Sequence, residues 1–494
     1  MKLEKIVIVI FIIGLIGCSK KNHEIIITGK TIGNIPDKIE YTVPINGTWF
    51  YGAKKSVVPD SLGDFTISLK SDSASFVTLF VPKQTATVLL VEPDKKYEID
   101  FHLNSKENKI KGESNEAQTL YKSFAFPDFH VLSSSNELLK DSVFTTISSK
   151  INTLKEKEIF QFREQLEKKS ITKAFYDLAE LDRKHYYAAL ETSISKVKYN
   201  GNFDSSETQN AQIIKLWKKT FHQTPPTESF DIRSPWSFVL INNYIEVNQF
   251  NFGTLDLEGM KKIFKQRQNH SFNVKEAKKY LKGQVLEFYL ANYILSNSFR
   301  NKENSKELID LYDEFKIEYP NSNYSEYLTS FIKPIIDFHK KIEKSMTNEK
   351  IKFIENYKNI DTFDELTKNL KGKKVFIDIW GTWCAPCKEE FQHKDKLNKL
   401  LKSKNIEVLY ICEGKNSKEK VWKEMIKFYN LEGSHIRANN KLLTDIIKKL
   451  ERVGSFYYPY YILIDENGEI VKNPAKKPSQ LSELEKEISE NYVW

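Results

Sequence analysis

The spacing of apolar residues changes twice along this chain, and those changes restrict it to three kinds of structure in succession. From Ile25 to about Leu103, apolar and polar residues alternate in short runs bounded by turn residues: "EIIITGK", "KIEYTV", "GDFTISL", "FVTLFVP", "ATVLLVEP" and "YEIDFHL". A period of two puts Phe65, Ile67 and Leu69 on one face, and short strands at such spacing predict a small β-sandwich. Beyond residue 113 the period becomes helical, with Ala174, Leu178, Leu181, His185 and Ala188 on one face of "KAFYDLAELDRKHYYAALE". Breaks at "QTPP", "RSPW" and "EYPNSN" divide a helical region reaching to about residue 345. From residue 346, strands ("KKVFIDIW", "IEVLYICE") alternate with helices ("CKEEFQHKDKLNKLLKSK", "SKEKVWKEMIKFYNL", "KLLTDIIKKL") and end in the hairpin "YYILIDENGEIVK", which turns at Asn467-Gly468. The fold class that follows is multidomain α+β: a β-sandwich over 18–112, a helical domain over 113–345 and an α/β domain around a mixed sheet over 346–494.

Charge and composition narrow the function classes. The 75 Lys and Arg exceed the 66 Asp and Glu by nine, and this surplus is spread along the chain rather than gathered in an arm, so nucleic acid is not an expected partner. Tyr176, Tyr186, Tyr187, Tyr244, Phe288 and Tyr289 form stripes that could line a ligand groove, but their helical spacing favours packing between helices. His102, His185, His222 and His270 fall singly, without the paired spacing of a zinc site, and read as surface or packing histidines. Neither a metal nor a dissociable cofactor is expected.

The N-terminus reads as a targeting segment. Lys2 and Lys5 precede an apolar run from Ile6 to Ile16, which is far short of the roughly 20 residues a spanning helix needs. "LIGC" at 15–18 resembles the bacterial lipobox, which implies a signal peptide over 1–17, acylation of Cys18 and a membrane anchor through it; an uncleaved anchor with an incidental cysteine is the other reading. Ser19, where an Asp is associated with inner-membrane retention in enteric bacteria, leans towards the outer membrane, with the remaining chain in the periplasm.

Export makes the remaining cysteines informative, because disulfides persist in an oxidising compartment. Only Cys384, Cys387 and Cys412 follow Cys18. A disulfide enclosing two residues adds little as a staple, since loop-closure stabilisation grows with the residues enclosed, so Cys384 and Cys387 point to chemistry. The pair stands at a strand-to-helix junction. There the unpaired N–H groups of the helix end stabilise a thiolate at Cys384, while Cys387, one turn on, resolves a mixed disulfide. Pro386 suits a first helical turn. Half a zinc site is the alternative use of such a pair, but no second pair exists. Cys412, inside "VLYICE", reads as a buried core cysteine.

"WGTWCAPCKEE" followed by "YPYYILIDENGEIV" resembles the TlpA/ResA-like thiol–disulfide oxidoreductases of the thioredoxin superfamily over roughly the last 150 residues. The stretch from Leu89 to Tyr121 similarly resembles the end of the β-domain that precedes thioredoxin domains in many bacterial lipoproteins. The first resemblance implies a thioredoxin-like domain over 346–494 and roles for several residues. Asp378 matches the buried aspartate that takes the proton from the resolving thiol, and a carboxylate inside "VFIDIW" independently demands work or partners. Its other reading is a structural hydrogen-bonding role at a strand end. Glu390 matches an acidic position near the ResA-like site, or is a solvated glutamate at a helix start. Pro459 fits the cis-proline facing the CxxC, and Trp383 and Tyr458 are the candidate substrate-contacting residues. Relatives usually carry a smaller residue than Tyr458 there, and Gln392 stands where a helix-kinking proline is common. Gly381 occupies the place where a peroxiredoxin wants Thr. "SKEKVWKEMIKFYNLEGSHIRAN" resembles the helix-strand insert of the family.

The expectation is therefore a membrane-anchored, extracytoplasmic thiol–disulfide oxidoreductase acting as a reductase on protein disulfides, with an upstream membrane electron donor as a further partner. The alternative is a partner-binding lipoprotein in which the redox site is accessory.

Overall fold

The alternating segments pair as their period requires. In the computed structural model the first of these form β1 (Glu24–Ile32), β2 (Ile39–Thr42), β3 (Lys54–Val57), β4 (Asp64–Lys70), β5 (Ser75–Val81), β6 (Thr85–Val91), β7 (Lys96–His102) and β8 (Lys109–Lys111). They make two four-stranded sheets, ordered β4-β1-β7-β8 and β3-β2-β5-β6. Phe65, Ile67 and Leu69 share a buried core with Ile25 and Ile27 of β1 and with Val77, Leu79, Leu89 and Val91 from the other sheet. Gly29 is needed where β1 crosses Phe65, since a Cβ there would come within 2.4 Å of the ring. β5 is buried along its whole length because its other face, at Phe76, lies with Val88 and Leu90 against Tyr121, Phe162, Phe175 and Leu178 from helices. Strands covered on both faces lose the alternation that half-buried strands show.

The structure describes residues 23–82, 84–103, 108–112, 114–124, 136–141, 143–201, 207–249, 257–267, 269–344, 349–368, 370–415, 417–450 and 457–492. The leader over 1–17 and Cys18 lie outside them. Among the described residues no helix is long and apolar enough to cross a membrane. The chain divides into two compact units at Asn248/Gln249, inside the helical region.

The long helices of the first unit, Phe144–Glu167 and Lys173–Gly201, bury more than the expected stripe. In the second, Ala174 is exposed and Leu181 and Ala188 are half-buried, while Phe175, Leu178, Ala179, Asp182, Arg183, Tyr186 and Ala189 are buried. The face is rotated by about one residue and widened, because sheet and helices cover this helix from more than one side. His185 is a packing histidine, stacked on Phe230 and bonded through Nδ1 to Ser237 Oγ at 3.0 Å.

In the second unit, helices from Leu257 to Lys344 precede a six-stranded mixed sheet. Its strands are β9 (Ile351–Phe353), β10 (Lys374–Trp380), β11 (Ile406–Glu413), β12 (Gly433–Ala438), β13 (Tyr460–Ile464) and β14 (Ile470–Lys472), in the order β14-β13-β10-β11-β12-β9. β10 runs parallel to β11 and antiparallel to β13. One face packs Val375, Ile377, Leu409, Ile411 and Ile462 against Leu442 and Ile446. The other packs Phe376, Trp380, Tyr410 and Tyr461 against the cysteine-bearing helix, Leu397, Leu401 and the C-terminal helix. Coverage on both faces explains the near-continuous apolar run of β10. Residues 419–438 form a helix, Glu419–Tyr429, and then β12.

Candidate active site

β10 delivers the chain at Trp380 to the loop Gly381–Thr382–Trp383, and the helix Ala385–Glu390 starts at once. Cys384 caps this helix: the N–H of Cys387 donates to its Sγ at 3.1 Å. The two cysteines form a disulfide with their Cα atoms 5.4 Å apart, and both are buried. In the reduced protein the same N–H is placed to stabilise a thiolate. The helix ends in a 3-10 turn, Phe391–His393, before the helix Lys394–Ser403 begins, so the bend occurs with Gln392 in place of the familiar proline.

Period two puts Asp378 on the same face as Phe376 and Trp380, the face covered by the cysteine helix. It is 2 % exposed, in register with Tyr410 on β11 and Tyr461 on β13, and its Oδ1 has no hydrogen-bond partner among the described residues. Burial, reinforced by the nearby charge of Glu390, pushes its carboxyl well above the usual carboxylate range. Glu390 is buried too, rather than solvated: its oxygens accept from the Ser479 N–H and Ser479 Oγ, both at 2.9 Å, with Lys477 Nζ at 3.7 Å. The site thus joins an uncommitted, proton-holding acid to a tethered one.

The outer wall carries the other expected residues. Trp383 is half exposed and meets Tyr458 edge to face with ring centroids 5.2 Å apart. The Tyr458–Pro459 peptide is cis. Burial, with Glu413 and Cys412 nearby, raises the Tyr458 hydroxyl above the usual phenol range, so it is a neutral donor at ordinary pH. Gly381 makes room for Trp383, whose indole would lie 2.9 Å from a Cβ at that position.

Two contributors escaped sequence reasoning. Glu413, buried at the end of β11, accepts from Trp383 Nε1 at 3.0 Å and from the Lys415 N–H at 2.7 Å, which holds the indole in place. A carboxylate closing the apolar "VLYICE" was the available signal, of the same kind as Asp378. Ser417 Oγ accepts from both the N–H and the hydroxyl of Thr382, at 3.1 Å each, and anchors the loop before Cys384. Cys412 is a buried free thiol pushed up to about 12 by burial, which makes it a core residue and a poor nucleophile. No cluster of metal-ligating side chains occurs among the described residues.

A strand, a CxxC-capped helix on one face of a mixed sheet and a cis-proline just before the neighbouring strand β13 define a thioredoxin-like domain. Residues 355–488 match the Redoxin family. The thiol–disulfide oxidoreductase ResA of Bacillus subtilis (strain 168) is 41 % identical over 105 residues, 21 % of this chain and 54 % of its own length. A ResA of Bacillus cereus is 32 % identical over 108 residues, 21 % of this chain and 56 % of its own length. The chain therefore spans about half the length of these curated relatives. The solution structure of "a putative thiol-disulfide oxidoreductase from Bacteroides vulgatus" is 27 % identical, with a TM-score of 0.20, covering 24 % of this chain and 72 % of that one. The C-terminal part of this chain is a Redoxin domain related to the ResA/TlpA-like thiol–disulfide oxidoreductases, with Cys384 and Cys387 as its CxxC pair.

Proposed function

We propose that the whole protein is a lipid-anchored, extracytoplasmic reductase of protein disulfides. The observation that carries this reading is the Cys384–Cys387 disulfide at the start of the helix that covers the β10 face bearing the buried Asp378. In the reduced enzyme the Cys384 thiolate attacks a substrate disulfide; one substrate sulfur leaves and a mixed disulfide forms. Asp378 takes the proton from Cys387, whose thiolate then attacks Cys384 Sγ, releasing the second substrate sulfur and restoring the internal disulfide. Glu390, fixed by Ser479, lies near Asp378 and raises the proton affinity of its carboxylate, which strengthens it as the acceptor of the Cys387 proton. Trp383, which precedes Cys384, meets Tyr458 of the cis Tyr458–Pro459 pair, and this wall holds the substrate segment. A membrane-embedded donor re-reduces the pair, and acylated Cys18 keeps the enzyme at the outer membrane, facing the periplasm; the "LIGC" run and its basic leader support this placement.

The reading is tested by insulin reduction with the full-length protein, together with Cys387→Ala trapping. Wild type should reduce insulin, and the variant should accumulate reducible adducts on Cys384. A wild type that reduces insulin while Cys387→Ala gives no adducts would remove the assigned roles. Intact-mass spectrometry of membrane-derived protein tests the anchor: a mature chain that keeps Met1, or lacks a lipid increment at Cys18, ends that part of the reading.

A further inference from the structure

Among the described residues, Lys388 is the buried charge beside the cysteine pair that the exchange mechanism leaves unused. It follows Cys387 directly in the helix that Cys384 caps. Lysines in such positions ordinarily reach solvent. This one is 4 % exposed, and its ammonium donates to the carbonyl oxygens of Lys302 at 2.6 Å and Asn301 at 3.4 Å. No carboxylate of the described residues forms an ion pair with it. Burial brings the ammonium down to about 8, with Glu303 acting to hold its proton and Lys302 acting against it.

Those carbonyls belong to a segment that is itself fixed. It leaves the helix Gly283–Leu295 through the π-helical turn Ser296–Arg300. The Glu303 carboxylate meets His270 Nε2 at 3.1 Å, and His270 Nδ1 meets the Tyr293 hydroxyl at 2.9 Å. The Asn301 amide donates to Glu303 at 3.3 Å, and the Lys302 ammonium pairs with Glu389 on the cysteine helix itself. The segment therefore grips that helix at two successive residues, Lys388 through carbonyls and Glu389 through an ion pair.

A desolvated cation is costly unless something answers its charge, and two carbonyl dipoles with the Glu303 carboxylate at longer range do so only in part. The disulfide offers it no anion. Reduction does, because a thiolate then forms at Cys384. We propose that Lys388, held by the Asn301 and Lys302 carbonyls, is a positioning residue that biases the Cys384–Cys387 couple towards its reduced, thiolate-bearing form. The proposal rests on the exchange chemistry assigned above and adds a device to it: the helical segment 296–303 sets the poise of the pair. With glutathione as reductant, two glutathione thiols lose two electrons and become one glutathione disulfide. The Cys384–Cys387 bond breaks; of the two glutathione protons one goes to Cys387 as a thiol and the other to solvent, and Cys384 remains a thiolate above its pKa.

The test uses the full-length protein as wild type, Lys388→Met, Lys388→Gln and Lys388→Arg. Ultraviolet thiolate absorbance follows the Cys384 titration, glutathione buffers give the equilibrium constant, and circular dichroism monitors the fold. Lys388→Met should raise the Cys384 pKa and lower the equilibrium constant for reduction about three- to tenfold. Lys388→Arg, which keeps the charge, should stay within about twofold of wild type. Lys388→Gln keeps an N–H donor for the two carbonyls without the charge and should move the pKa up as Lys388→Met does. A folded Lys388→Met with wild-type pKa and equilibrium constant overturns the proposal while leaving the exchange reading intact. If Lys388→Met does not fold, Lys388→Gln decides: a raised Cys384 pKa supports the proposal, and an unchanged or lowered one overturns it. A wild type that does not exchange with glutathione at all sinks the exchange reading instead.

Discussion

Each unit of this protein buries an aspartate, and the two are treated in opposite ways. In the first unit Asp182 is fully buried and saturated with donors: Arg183, the Tyr121 hydroxyl at 3.1 Å and the Ser234 hydroxyl at 2.8 Å. Arg183 is itself buried and reaches Glu158 at 3.3 Å. In the second unit Asp378 is buried between two tyrosines with one oxygen unanswered and no cation paired to it among the described residues. Burial alone therefore does not distinguish structure from chemistry. A buried acid whose lone pairs are all occupied fixes a packing arrangement, whereas one left unsatisfied is ready to change its proton.

That contrast can be broken or sharpened in order of expected effect. The largest test asks whether exchange belongs to the second unit alone. Cys384→Ser should abolish insulin reduction and leave the circular dichroism of the chain unchanged; residual turnover would place exchange chemistry elsewhere. Next comes Asp182→Ala, which strands the buried Arg183 and should cost about 3–5 kcal/mol of unfolding free energy. Chemical denaturation measures it, and a loss under about 1 kcal/mol would mean that the saturated network carries little of the fold.

Asp378→Asn should do the reverse, slowing the release step by about a hundredfold with no loss of stability. Stopped-flow exchange with a model disulfide separates attack from release, and a full release rate at neutral pH would remove Asp378 from proton transfer. The pH dependence has a defined sign. The folded-state pKa of Asp378 is raised, so its contribution to stability is fully present below the unfolded carboxylate value and is lost as pH rises through the folded value. Asp378→Asn should flatten that decline, and denaturation curves across this window read it directly.

Smaller effects sharpen the outer wall of the site. Glu413→Gln weakens the hold on Trp383 and should raise KM for a peptide disulfide about three- to tenfold with kcat nearly unchanged, as a lost charge-assisted hydrogen bond would. The smallest effect belongs to Cys412→Ala, which should cost about 1 kcal/mol of stability and leave exchange unaltered. In the reduced wild type, Cys412 should label with thiol reagents at least about a hundredfold more slowly than Cys384, because burial suppresses its thiolate.

How much of this was legible depended on whether a feature was local. Strand alternation in β4, the turn at Asn467-Gly468 and the cysteine spacing are set by neighbours in sequence, and all were readable. The buried face of the Lys173–Gly201 helix was misplaced by about one residue, because its true partners lie on a sheet and on helices distant in sequence. Glu390 admitted two readings until its Ser479 partners, 89 residues away, were seen. Glu413 was passed over for the same reason: its donor, Trp383, is 30 residues distant.

The sequence by itself determined the class of chemistry, since two cysteines one helical turn apart at a strand-to-helix junction have few other uses, and it determined an acid inside β10, since a charge in an apolar run must have a purpose. Only the tertiary structure decided how those groups are tuned. Whether Asp378 meets donors or tyrosines, whether Glu390 is solvated or tethered, and whether Lys388 reaches water or two carbonyls are settled by segments far away in the chain. The physical reason is that proton affinity follows local desolvation and the few dipoles and charges within a few ångströms, and which groups come that close is a property of packing.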